Sequence, residues 1–149
     1  MLTTLSRTVR FTLVLVLGLV GSARAGILTP DEAKALADAG ALTIVDVRLP
    51  MEWAETGRPA GALGVSLQDP ATFQVRPDFV AELLRRLDGD RDRPIALICA
   101  TGQRSTFATK LLQGAGFTNV QNIAEGVLGG PNGPGWLQRG LPVQAYRAP

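Results

Sequence analysis

The only cysteine of the chain, Cys99, begins a short loop with the sequence Cys99-Ala100-Thr101-Gly102-Gln103-Arg104-Ser105. The nucleophilic form of a cysteine is the thiolate, which a helix N-terminus and a nearby cation both favour. Gly102 allows the loop to turn tightly, and the guanidinium of Arg104 keeps its positive charge at physiological pH. The loop therefore predicts a reactive thiolate in an anion-binding site. The alternative is a buried, inert cysteine.

The chain has no histidine and one cysteine, and this restricts the chemistry that Cys99 can perform. A Ser-His-Asp triad, a Cys-His pair and a zinc site built on histidine are excluded within one chain. An internal disulfide, a CxxC redox pair and a cysteine metal cage are excluded as well. We therefore expect no metal and no cofactor. A substrate with a good leaving group, such as a sulfite-like anion, makes a general base unnecessary.

Predicted strands and a helix place Cys99 at the edge of a sheet. The apolar run Pro94–Ile98 precedes the cysteine, and residues Arg104–Leu112 after it have a helical pattern. A second apolar run, Leu42–Val47, also predicts a strand that is buried on both sides, as in a parallel sheet. In open α/β sheets, ligands bind outside the carboxyl ends of the strands, where Cys99 would lie. Backbone N–H groups that converge in such a loop stabilise anions.

The remaining segments alternate between helical and strand patterns. Thr29, Pro30 and Glu32 have the spacing of a capping box and predict a helix that ends near Gly40. Further predicted features are helices over Pro50–Glu55 and Pro77–Leu87, short strands over Gly64–Leu67 and Val120–Ile123, a glycine-rich turn over Gly57–Gly61, and Trp136 as a packing anchor. This alternation predicts the α/β class, with a central, mostly parallel sheet flanked by helices.

The first 25 residues have the pattern of a cleaved secretory signal peptide. Two arginines precede an apolar run from Phe11 to Val20, and Ala23-Arg24-Ala25 fits a signal-peptidase site. The apolar run is shorter than the ~20 residues of a transmembrane helix, which disfavours the alternative of an uncleaved anchor. The sequence therefore predicts a signal peptide over residues 1–25, a single domain over residues 26–149 and a periplasmic location.

The predicted mature chain is close to electrically neutral. Removing residues 1–25 takes away three of the 15 basic residues and none of the 13 acidic ones, so the net charge changes from +2 to −1. The sequence has no long basic run and no aromatic ladder, and it therefore predicts no nucleic-acid partner. No later segment is apolar enough to cross a membrane after signal cleavage. No pattern in the sequence indicates an oligomeric state.

The cysteine loop resembles that of the rhodanese-like (sulfurtransferase) family, and the resemblance covers about residues 27–143. Residues Ile44–Arg48 resemble the family's Asp-Val-Arg strand end. The segment Gly57–Ala62, followed by Gly64, lies where the family often has Gly-His-Ile-Pro-Gly-Ala. The segment Glu125–Gly130, followed by Trp136 and Gly140–Pro142, resembles the family's usual ending.

The resemblance implies a three-layer domain in which Cys99 accepts sulfur as a persulfide. It implies that main-chain N–H groups of the loop bind the transferred sulfur or the substrate anion, and that Arg104 closes the loop. The implied binding residues are Ala100, Thr101, Gly102, Gln103, Arg104 and Ser105. Asp46 and Arg48 are supporting residues near the site, and a structural role in fixing the neighbouring loops is favoured for both.

The implied function is the transfer of sulfane sulfur from a small anion such as thiosulfate to cyanide or a thiol. Four residues separate Cys99 from Arg104, one fewer than in related phosphatases and arsenate reductases, and the shorter loop favours sulfur chemistry. Ala100 stands where thiosulfate-using members often carry a basic residue, and Gly57–Gly61 lacks the family's usual histidine. These departures motivate the alternative of a non-catalytic sulfur carrier, sensor or protein-binding module.

Overall fold

Helices and strands alternate along the chain, as the sequence predicts. The computed structural model describes residues 26–147, and the predicted signal peptide lies outside them and stays a prediction. The helices are α1 (Pro30–Asp38), α2 (Pro50–Thr56), α3 (Phe79–Arg86), α4 (Gln103–Gly114) and α5 (Gly135–Gln138). The strands are β1 (Thr43–Asp46), β2 (Arg58–Pro59), β3 (Leu63–Gly64), β4 (Ile95–Ile98), β5 (Val120–Asn122) and β6 (Val143–Gln144). None of the helices described is both long and apolar enough to span a lipid bilayer.

Four of the strands form a parallel sheet in the order β3-β1-β4-β5. Asp46 at the end of β1 lies opposite Gly64 of β3 and Ile98 of β4. Because parallel strands run in the same direction, their carboxyl ends meet at one edge of the sheet. Cys99 follows Ile98 directly and therefore lies at that edge. The α/β class and the central parallel sheet are confirmed.

The two faces of the sheet are covered by different helices. Val45 and Leu97 pack with apolar side chains of α3 and α4, whereas Ile44 and Ile98 pack with α1 and α5. Successive side chains of a strand point to opposite faces, so a sheet covered on both sides needs unbroken apolar strands. Trp136 of α5 is fully buried on the face of the sheet that α1 and α5 cover, as expected of a packing anchor. The domain thus has three layers, with Cys99 between β4 and α4.

The ends of the elements follow local signals in the sequence. Thr29 and Glu32 form the predicted capping box, in which the Thr29 N–H donates to the Glu32 carboxylate at 2.8 Å and the Glu32 N–H donates to Thr29 Oγ1 at 3.3 Å. The strand predicted over Gly64–Leu67 is shifted and shorter in the structure, where β3 comprises Leu63 and Gly64. The N–H groups of Val65 and Leu67 still donate to the backbone carbonyl oxygens of Asp46 and Val47. These hydrogen bonds lie beyond the paired strands, because β1 ends at Asp46.

A small antiparallel sheet joins the C-terminal end of the domain to the predicted turn over Gly57–Gly61. Strand β2, which lies in that turn, pairs with β6, and the Gly61 N–H donates to the side chain of Gln144 at 2.8 Å. Beyond β6, the ring of Tyr146 meets that of Trp53 in α2 edge-on, with centroids 5.2 Å apart. The guanidinium of Arg58 lies 5.3 Å from the ring centroid of Trp53 and 5.4 Å from that of Tyr146. These contacts hold α2 in position.

Candidate active site

The sulfur of Cys99 lies under the loop that connects β4 to α4. Cys99 is buried, and its Sγ accepts a hydrogen bond from the Gly102 N–H at an N–S distance of 3.1 Å. Gly102 has a φ of +98°, and a Cβ at this position would collide with the carbonyl oxygen of Ala124. Only glycine therefore allows the loop to turn its N–H towards the sulfur.

Ser105 and the N-terminus of α4 complete the surroundings of the sulfur. The thiol donates to Ser105 Oγ at 3.4 Å, and this hydroxyl donates to the carbonyl oxygen of Gly102 at 3.1 Å. Gly102 is the N-cap of α4 and has no side chain that could accept from the first helical N–H groups. These N–H groups and the positive end of the helix dipole are therefore available to a negatively charged sulfur.

The segment that follows β5 forms a wall against the cysteine loop. The N–H of Val127 donates to the Cys99 carbonyl at 2.8 Å, and the N–H of Leu128 donates to the Ala100 carbonyl at 2.9 Å. Glu125 holds this segment, because its carboxylate accepts hydrogen bonds from the Arg139 guanidinium at 2.7 Å and 2.8 Å and from the Gly135 N–H at 2.9 Å. The segment after β5 thereby holds the backbone of the cysteine loop in place.

Arg104 forms a two-point ion pair with Glu52. Its two terminal nitrogens donate to the two Glu52 oxygens at 2.6 Å and 2.7 Å. Burial raises the pKa of Glu52, but the hydrogen bonds from Arg104 and from the Leu49 N–H outweigh this effect and hold the pKa below its usual value. The hydrogen bond to Glu52 raises the pKa of Arg104, and the nearby charge of Cys99 adds to the rise. Arg104 therefore acts on the sulfur through space, from a fixed position.

Asp46 and Arg48 form a second ion pair, which is almost fully buried behind the loop. Three hydrogen bonds of 2.7 Å to 3.2 Å join the Arg48 guanidinium to the Asp46 carboxylate. The same guanidinium donates to Thr56 Oγ1 at 2.9 Å and to the Gly57 carbonyl at 2.8 Å. The hydrogen bonds of these two side chains thus join β1 to the end of α2. This arrangement fits the structural role that the sequence favours.

The structure separates the loop residues by what they contact. Gly102 and Ser105 reach the sulfur, Arg104 turns to Glu52, and Thr101 and Gln103 are exposed. Sequence reasoning missed Glu52, although a glutamate three residues after the N-cap Leu49 is a capping signal and does accept from the Leu49 N–H at 2.9 Å. Within residues 26–147, no group of three acidic or cysteine side chains converges on a place that could hold a metal ion.

Replacing Glu52 with glutamine is expected to slow the reaction of Cys99 roughly tenfold, because it frees Arg104 while the helix cap, which glutamine also makes, is kept. In the wild-type protein the ion pair needs an ionised Glu52, so its contribution is present above the usual carboxyl range and is lost as pH falls through the lowered pKa. The variant should lack this contribution to the acid limb of the pH profile, so the ratio of the wild-type rate constant to that of the variant should fall towards 1 as pH decreases through this range.

Glu55 provides the matched control for this experiment, since it is exposed and lies in the same helix. Glu55→Gln should leave both the rate and its acid limb unchanged. The free energies of unfolding of the wild type, Glu52→Gln and Glu55→Gln, measured by thermal unfolding, should agree within about 1 kcal/mol, because partly exposed ion pairs contribute little to stability. An unchanged pH profile in Glu52→Gln would show that Glu52 does not position Arg104 for the reaction.

A buried thiol that accepts a hydrogen bond from a backbone N–H at the carboxyl edge of a parallel sheet defines an α/β domain with a single cysteine at its ligand-binding edge. The profile of the rhodanese-like domain family matches residues 29–129, and the chain belongs to this family. The family resemblance of the cysteine loop is thereby confirmed.

Named relatives of the chain include sulfur-transferring proteins. The chain is 33% identical over 88 residues to the thiosulfate sulfurtransferase GlpE of Pseudomonas syringae pv. syringae, covering 53% of this chain and 81% of the relative. The crystal structure of Rv0390 from M. tuberculosis is 30% identical, with a TM-score of 0.67 over 81% of this chain and 98% of that one. The polysulfide-sulfur transferase of Wolinella succinogenes is 27% identical, with a TM-score of 0.58 over 84% and 82% of the two chains.

Proposed function

We propose that this protein is a sulfurtransferase that moves sulfane sulfur from a donor such as thiosulfate to a thiophilic acceptor through a persulfide on Cys99. The observation that carries the proposal is the hydrogen bond from the Gly102 N–H to Cys99 Sγ, at 3.1 Å, beside the uncapped first turn of α4. This arrangement stabilises a negative charge on the sulfur without a histidine. The names of the relatives support the same chemistry.

The reaction has two steps that balance in atoms and charge. The Cys99 thiolate attacks the outer sulfur of thiosulfate, an S–S bond forms, the S–S bond of thiosulfate breaks, and sulfite leaves with the electron pair. A thiolate or cyanide then attacks the outer sulfur of the persulfide, which regenerates the Cys99 thiolate. Neither step needs a proton from the protein, so the absence of histidine is no obstacle. The N–H groups at the start of α4 stabilise the persulfide anion between the steps.

The proposal is tested by assaying residues 26–149 with thiosulfate and cyanide and measuring thiocyanate. Mass spectrometry of the intact protein after exposure to donor alone should show the added mass of one sulfur atom. Both signals should be absent from Cys99→Ala. A wild-type rate no higher than that of this variant, over several sulfane-sulfur donors, would contradict the proposal.

The second candidate function is a sulfur carrier, sensor or binding module that does not turn over rapidly. It is favoured by one observation on the loop: the residue after Cys99 is Ala100, which is uncharged. A doubly charged donor such as thiosulfate therefore meets no cationic side chain at that position. A stable persulfide on Cys99 with negligible thiocyanate production would identify the carrier.

A further inference from the structure

An apolar cleft of about 230 Å³ lies directly beside the cysteine loop. One wall is formed by Gln103 and Arg104, which belong to the loop itself, and by Phe107 one turn further along α4. The rest of the lining comes from the segment that follows β3. The lining residues of that segment are Leu67, Gln68 and Val75. Leu67 belongs to the same buried cluster as Cys99, so the cleft adjoins the packing around the sulfur.

The cleft carries no uncompensated charge. Arg104 is its only charged lining residue, and the Glu52 carboxylate neutralises this guanidinium through two hydrogen bonds. The remaining polar lining residues, Gln68 and Gln103, are uncharged amides. An inorganic dianion would gain little in such a place, whereas an apolar group would be removed from water against Phe107, Val75 and Leu67.

The segment from Gln68 to Arg76 contributes Val75 to this cleft. The Asp69 carboxylate accepts from the N–H groups of Ala71 and Thr72 at 2.9 Å, which fixes a tight turn before Val75. Val75 and Phe107 both line the cleft, and their exposures of 43% and 50% leave both side chains open to a ligand. Open apolar side chains on an ordered turn and a helix point to binding.

We propose that this cleft binds the apolar substituent of a small organic thiol, which is the acceptor of the sulfur carried by Cys99. The proposal rests on the sulfurtransferase function and names the class of acceptor for the same site. In the second step the acceptor thiolate R–S⁻ attacks the outer sulfur of the persulfide. The S–S bond to Cys99 breaks, an S–S bond to R–S forms, and the products are the Cys99 thiolate and the persulfide anion R–S–S⁻.

The size of the cleft suits a single ring or a short alkyl chain. An apolar cavity of about 150 Å³ can hold one benzene molecule. The cleft is larger than this and open on one side, so it can accept an aryl group while the thiol sulfur remains outside, towards the loop. A benzyl group attached to a thiol is therefore a suitable probe.

The test loads Cys99 with sulfur and measures the rate constant of transfer to three acceptors: benzyl mercaptan, 2-mercaptoethanol and cyanide. Phe107→Ala should lower the rate constant for benzyl mercaptan roughly tenfold, because one wall of the cleft is lost. The rate constants for 2-mercaptoethanol and cyanide should stay within about twofold of the wild type, since neither has a group that reaches the cleft.

Phe73→Ala is the matched control, because Phe73 is the same residue type, is 56% exposed and does not line the cleft. This variant should transfer sulfur to all three acceptors at the wild-type rate. Equal rate constants of wild type and Phe107→Ala towards benzyl mercaptan would overturn the inference while leaving the proposed function intact. This is the result expected if the cleft serves a protein partner instead. Failure of every acceptor, cyanide included, would count against the proposed function itself.

Binding can also be measured without any turnover. In Cys99→Ser protein, benzyl methyl sulfide should shift the amide NMR signals of residues around the cleft, and the shifts should weaken when Phe107 is also replaced by alanine. Shifts elsewhere, or none at millimolar ligand, would show that the cleft is not an apolar binding site, whatever the outcome of the transfer assay.

Discussion

Cys99→Ser protein is expected to transfer sulfur at least about a thousandfold more slowly than the wild-type chain, because a serine hydroxyl is not ionised near neutral pH and cannot carry a persulfide. Serine is the sharper choice for this position than alanine. Its Oγ is close to Sγ in place and can still accept from the Gly102 N–H and donate to Ser105. The substitution therefore removes the nucleophile and leaves the loop intact.

The measurement is thiocyanate formation under identical conditions, together with the intact mass after exposure to donor. The free energies of unfolding of the wild type and Cys99→Ser should agree within about 1 kcal/mol, since the buried hydrogen bonds are kept. The chain has one cysteine, so no other thiol can take over the role. A Cys99→Ser protein that retains a tenth of the wild-type rate would refute catalysis through this residue.

The largest expected effect on stability is at Asp46, where replacement by asparagine should lower the free energy of unfolding by about 3–5 kcal/mol. The side chain of Arg48 is only 1% exposed. Within residues 26–147, its one salt-bridge partner is the Asp46 carboxylate. Asparagine has a similar size but no charge, so the variant keeps a buried cation without its counter-charge. Chemical denaturation of the purified protein measures the loss.

Two further variants separate this effect from a general cost of removing a charge. The ion pair between Lys34 and Asp38 is exposed, so Asp38→Asn should cost less than about 0.5 kcal/mol. Adding Arg48→Met to Asp46→Asn removes the buried cation itself and should recover part of the lost stability. A double variant no more stable than Asp46→Asn alone would mean that the unpaired charge is not the cause.

The position of Cys99 could be predicted from the sequence because every signal for it is local. The apolar run Pro94–Ile98 has the length and the flanking residues of a strand buried on both faces, and a loop that follows such a strand leaves the sheet at its carboxyl edge. The N-cap of α1 is equally local, since Thr29 and Glu32 are three residues apart. Physical reasoning over a few neighbouring residues is sufficient in both cases.

The features that sequence reasoning missed depend on contacts between distant residues. The Arg104–Glu52 ion pair joins residues 52 positions apart. Its geometry follows from how α2 packs beside the loop, which no local pattern encodes. The cleft beside the loop is missed for the same reason, because Val75 and Phe107 come to line one cleft only in the folded domain. The sequence thus predicts the place of Cys99 in the fold well and the contacts around it poorly.

The small sheet of β2 and β6 makes the cysteine loop depend on residues that lie far from it in the chain. Strand β6 and Tyr146 brace α2, whose Glu52 holds the loop arginine in place. Trp136, which fills one layer of the core, also follows the loop in the chain. A fragment that ended soon after α4 would therefore contain Cys99 and Arg104 and still lack the contacts that hold α2 beside them.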